Sequence, residues 1–140
     1  MRLSSANLLR IAAAVEGLLC LGHSAGGLSR WSPAGNNPVL SAMAAFEMPV
    51  MGVQRSFLDF YIGFGWIISV AMLSQAVLMW VTASASSIDC HSLRAFIAIY
   101  AVWSLLTAIL AALLIFPLPA ILATVVALIL IAAYRGVASA

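Results

Sequence analysis

The stretch Arg55–Trp66, R-S-F-L-D-F-Y-I-G-F-G-W, decides the fold, because four ionic or polar-aromatic groups run straight into apolar sequence that continues to Thr82. About 20 helical residues cross the hydrocarbon core of a bilayer, so a helix over 57–82 spans it with some tilt or protrusion. Gly63 and Gly65 near its start read as places where another backbone comes close.

Upstream lies a loop from Ser29 to Ser56 that opens with the breaker-rich run R-W-S-P-A-G-N-N-P. Asn37 suits a helix cap and Pro38 a first helical position, and Val39, Met43, Phe46 and Val50 recur on one face. This predicts a short amphipathic helix over about 38–48, limited by Pro49 and lying at the membrane interface. Before the loop, residues 7–28 form another apolar stretch. Its cationic start and small-residue end mimic a signal peptide, but Glu16 interrupts the apolar centre and the length suffices to span.

Downstream, A-S-A-S-S-I-D-C-H is a polar connector and residues 92–116 are a third span. Pro117-Leu118-Pro119 breaks that helix and permits a tight reversal into a fourth, at about 120–134, anchored by Tyr134 and Arg135. The expected fold is therefore all-α: one integral membrane domain, a four-transmembrane-helix bundle with a short interfacial helix in its first loop.

Composition agrees. Apolar residues make up 65% of the 140 and charged residues 7%, far from the soluble range. Mean hydropathy is +1.16. The six cations are all arginine and are scattered singly, which excludes a nucleic-acid surface or a polybasic lipid-binding segment. Arg2, Arg10, Arg94 and Arg135 fall on the side of the termini and Arg30 and Arg55 on the other. This bias points both termini to the cytoplasm, in a bacterial inner membrane.

Three groups of residues are candidates for chemistry. Glu16, Cys20, His23 and Gly27 share one stripe of the first span, and ionisable groups at membrane depth should face protein or a wet cavity. Cys20 reads as an ordinary buried thiol. Arg55 and Asp59, at i and i+4, are close enough to pair on a helix; with His23, Glu47 and Tyr61 they could form a polar mouth under the loop helix. Phe96, Tyr100, Trp103 and Thr107 make a second stripe, expected to face the bundle interior, with Gln75 as a further polar contact. Each group has a plainer structural reading: interhelical bonding, an interfacial ion pair and core packing respectively.

Metal-binding and phosphate-cradling motifs are absent, and no metal site is expected. His23 is the one histidine inside a span, so haem would need an additional ligand such as a methionine.

The G-H-S-A-G end of the first span, M-G-V-Q-R-S-F-L-D-F-Y-I-G-F-G at Met51–Gly65 and the A-V-L-M-W closing the second resemble a family of small, mostly bacterial four-helix membrane proteins. In size and layout the chain is also distantly similar to the DoxX-like group. The resemblance implies four spans and carries over no catalytic role.

Together these features favour an integral membrane protein binding a lipophilic small molecule, such as a quinone, isoprenoid or lipid. The ligand-binding candidates are Glu16, His23, Arg55, Asp59, Tyr61, Gln75, Tyr100 and Trp103. In an enzyme, Glu16 and His23 would be the acid/base pair, as for isomerisation of a lipophilic substrate. The alternative is an accessory subunit or assembly helper of a larger membrane complex, or a homo-oligomer, docking through the last two helices.

Overall fold

A computed structural model describes residues 4–32, 34–85 and 87–137 of the chain. Arg2, part of the charge bias above, lies outside them. The described residues form α1 (Ser5–Gly27), α2 (Pro38–Ala45), β1 (Glu47–Val50), β2 (Val53–Ser56), α3 (Phe57–Ser84), α4 (Cys90–Leu114) and α5 (Pro117–Val137). Four of the helices, α1, α3, α4 and α5, are long and apolar enough to cross a membrane. The protein is an integral membrane protein. Side chains such as Leu18, Ile67, Leu113 and Leu128 are exposed on these helices, as contact with lipid requires.

The spans begin and end for local reasons. Ser4 Oγ accepts from the Asn7 amide at the start of α1. Asp89 Oδ1 accepts from the Ser92 amide at 2.9 Å to cap α4. The fourth span starts three residues earlier than expected. Pro117 and Pro119 sit in its first turn, where no amide needs an intrahelical acceptor, so the pair starts α5 as well as stopping α4.

The first loop departs from expectation. Asn37 caps α2 through bonds from the Val39 and Leu40 amides, as its position suggests, but the helix stops at Ala45. Residues 47–56 form an antiparallel hairpin in which Val50 pairs with Val53 and Glu47 with Ser56. Its two-residue turn, Met51-Gly52, has φ of 49° and 89°, the double left-handed geometry that matches strand twist. Phe46, expected on the helix face, instead stacks on Phe57 at 5.3 Å.

Two compact units divide the chain: Met1–Leu19 with Met72–Ala140, and Cys20–Ala71. The first is built around a buried cluster that includes Leu9, Ala12 and Ala13 of α1, Met79 of α3, Ile97 of α4 and Val126 and Leu130 of α5. Alanines let the backbones approach there. Ser5 Oγ donates to the Ala133 carbonyl at 3.0 Å, joining the start of α1 to the end of α5. The second unit holds the loop, the hairpin and the adjoining ends of α1 and α3.

Candidate functional site

In the second unit His23, Tyr61, Gly65 and Trp66 assemble around Trp31. Arg30 and Trp31 both have positive φ, 53° and 51°, a strained conformation for residues with side chains. Contacts on every side hold it. Trp31 Nε1 donates to the His23 carbonyl at 2.9 Å, and the Tyr61 hydroxyl donates to the Trp31 carbonyl at 2.9 Å. The indole lies 5.4 Å from the His23 ring and edge-on to Trp66 at 5.3 Å.

Glycines make room for that ring. A Cβ at Gly65 would sit 2.5 Å from the indole, and one at Gly26 or Gly27 would sit 3.0 Å from it. Gly63 faces open space, so the close approach expected at both glycines of the G-F-G run occurs at Gly65 alone of the two.

The stripe on α1 meets α3 through the same residues. His23 Nε2 lies 3.0 Å from the Gly65 carbonyl, which can only accept, so Nε2 carries the proton. Ser24 Oγ donates to Ser69 Oγ at 3.0 Å, and Ser69 Oγ donates to the Gly65 carbonyl at 3.3 Å. Cys20 Sγ donates to the Ser69 carbonyl at 3.4 Å. Cys20, His23 and Gly27 thus serve one helix–helix seam, as their spacing suggests. Trp31, Ser24 and Ser69, which lie outside the Glu16–Cys20–His23–Gly27 stripe, complete it. The signal for Trp31 was a tryptophan placed between the Gly26-Gly27 pair and Gly65.

Arg55 and Asp59 do not share a helix. Arg55 belongs to β2 and donates to the Gln54 carbonyl at 2.9 Å. Ser56 and Asp59 form a reciprocal capping box: the Ser56 amide donates to Asp59 Oδ2 at 2.8 Å and the Asp59 amide to Ser56 Oγ at 3.1 Å. The hairpin therefore runs directly into α3, and this junction is the physical content of R-S-F-L-D.

The first unit presents a different set. Gln75, Ser104, Tyr100 and Glu16 are all buried, Glu16 to 4% exposure and Gln75 to 7%. Gln75 Nε2 donates to Ser104 Oγ at 3.3 Å, whereas Gln75 Oε1 is buried without a hydrogen-bond partner among the described residues. The Tyr100 hydroxyl meets Thr82 Oγ1 at 3.0 Å. Leu9 and Ala13 lie on the α1 face that also carries Glu16, and Met79 and Ala83 on the α3 face that also carries Gln75. Those four residues belong to one cluster, so both polar groups extend its buried faces by about a turn. The Glu16 carboxyl has no hydrogen-bond partner among the described residues.

On α4, the expected inward stripe holds for Tyr100 and fails for Phe96 and Trp103, which are 43% and 51% exposed. The helix turns those two rings outward because Ile97, Tyr100, Ser104 and Ala108 form its buried face.

No family model, curated protein or solved structure matches this chain.

Proposed function

We propose that the protein binds a lipophilic small molecule whose polar group engages Gln75 and Glu16 among the core helices of the first unit. The observation that carries this reading is the buried Gln75 Oε1. An amide oxygen held away from water without a donor costs roughly 1–3 kcal/mol, and a ligand hydroxyl or similar donor would offset that cost. Glu16, a buried residue on the α1 face that joins the same core, adds a second polar handle, and intramembrane ionisable residues mark ligand and ion sites by default. Tyr100, on the buried face of α4, adds an aromatic ring to the same core. His23, Asp59 and Tyr61 are each committed to a backbone group, which supports a structural role for them and moves the binding group away from the expected mouth.

A likeness in layout to the DoxX-like group belongs to the same proposal and rests on the size and motifs of the sequence. So does a bacterial inner-membrane location with cytoplasmic termini, which rests on the arginine bias.

The test is native mass spectrometry of the protein gently extracted from its membrane. A retained mass of quinone or isoprenoid size that is lost in both Gln75→Leu and Glu16→Gln, with the fold intact, is the expected result. Retention unchanged in both variants would remove these residues from the site.

A second reading, an accessory subunit of a larger membrane complex, is favoured by an open groove of about 430 Å³ along α4 and α5. Ala108, Ala112, Ala120 and Thr124 line it, small residues that admit another helix. A chain that migrates only within a larger assembly after gentle extraction would favour this reading.

A further inference from the structure

We infer that the groove between the start of α4 and the end of α5 seats the phosphate of an anionic phospholipid from the surrounding leaflet. The groove has a volume of about 430 Å³. Cys90, His91, Arg94 and Tyr134 supply its polar lining, and Ala95, Ala98 and Val137 part of its apolar floor. Tyr134 holds Arg94 twice: Nη2 donates to the Tyr134 hydroxyl at 3.0 Å, and the guanidinium carbon lies 4.6 Å from the centre of the tyrosine ring.

This contact fixes the plane of the guanidinium while leaving most of its five donors open, and a planar fork of donors matches a phosphate. No carboxylate pairs with Arg94 among the described residues. Asp89, the acidic group nearest in sequence, is the α4 cap and accepts from the Ser92 amide.

The position selects the ligand. Both helices are apolar spans, and the groove lies where α4 starts and α5 ends, the level at which lipid phosphates lie. Arginine and tyrosine at a span end otherwise act as simple anchors. The built groove distinguishes this pair, because its apolar floor suits the glycerol and first acyl carbons of a lipid and gives nothing to a free phosphate ion.

The experiment uses the full chain in mixed micelles containing equal amounts of phosphatidylglycerol and phosphatidylcholine, read by native mass spectrometry. The wild type should retain phosphatidylglycerol preferentially. Arg94→Gln should lower that retention about tenfold, the scale of one charge-assisted hydrogen bond. Tyr134→Phe, which keeps the ring and frees the guanidinium, should lower it by a smaller factor. Arg94→Lys should recover only part, because the charge returns without the fork.

Equal retention of the two lipids by the wild type would overturn the inference. So would undiminished preference in Arg94→Gln, or complete displacement by millimolar inorganic phosphate. Should Arg94→Gln fail to fold, the wild-type preference and the Tyr134→Phe variant decide. Gln75→Leu should leave phosphatidylglycerol in place, so loss of the core ligand and loss of this lipid are separate outcomes.

Discussion

Two groups of polar side chains within the membrane-spanning helices are treated in different ways. Around Trp31, His23 Nε2, the Tyr61 hydroxyl, Ser24, Ser69 and the indole N–H each have a partner, several of them backbone carbonyls. In the core of the first unit, Gln75 is paired on its nitrogen, while its oxygen has no partner among the described residues. The first arrangement is a clasp: its polar atoms satisfy each other and hold a strained loop. The second leaves a buried oxygen without a partner among the described residues, and the proposed ligand would occupy it.

The contrast is most exposed at Trp31. Trp31→Ala should destabilise the protein by about 3 kcal/mol, the lower end for buried tryptophan truncations since this ring is half-buried, measured by thermal unfolding in detergent. A change below about 0.5 kcal/mol would mean the loop is held by something else.

Next in size is the pair Gly65→Ala and Gly63→Ala. A methyl at Gly65 drives into the indole and should cost about 1–3 kcal/mol, the range for overpacking. The same change at Gly63 meets nothing and should be neutral or stabilise by up to about 1 kcal/mol through helix propensity. Equal effects at the two positions would contradict the seating of Trp31 on Gly65.

Gln75→Leu tests the other region. It removes the unpartnered oxygen together with the bond to Ser104, so the two effects should offset to within about 1 kcal/mol in ligand-free protein, while ligand retention is abolished. A large destabilisation would show that Gln75 is a structural bond like those of the clasp.

Smaller again is Met51→Asn. Met51 is fully exposed at positive φ, and asparagine adopts that conformation more readily, so stability should rise by roughly 0.5–1 kcal/mol. A loss would be inconsistent with the double left-handed turn.

The smallest effect concerns pH. Asp89 lies outside the spans, and its hydrogen bonds from Ser92 hold its carboxyl below the usual carboxylate range. A depressed folded value means the cap contributes fully above the unfolded value of about 3.9 and fades as pH falls through the folded one. The protection of amides at the start of α4, taken as exchange relative to the intrinsic rate at each pH, should therefore fall on acidification in the wild type, with no such pH step in Asp89→Ala.

Much of the architecture was legible along the chain. The four spans were, since each is a run of apolar residues long enough to cross lipid, and so was the Asn37 cap of α2. The hairpin was hidden because Glu47-Met48-Pro49-Val50 lacks a clean alternation of apolar and polar residues. Met-Gly is also a weak version of the usual Asn-Gly turn. Pro49, read as a helix limit, instead pairs opposite Gln54 in a two-stranded ribbon, where one edge needs no amide donor. The stripe of Cys20, His23 and Gly27 was legible as a face, whereas its partners on α3, some 40 residues away, were not.

Hydropathy is nearly additive over neighbouring residues, so membrane residence and the number of crossings could be read without coordinates. Asp59 caps α3 rather than pairing with Arg55 because the helix starts at Phe57, whereas whether Trp103 faces lipid or core and whether Gln75 is satisfied depend on the register and rotation of one helix against another. Contacts between residues far apart in the chain set that register, and the close fit of Trp31 to Gly65 shows how narrow the permitted range is.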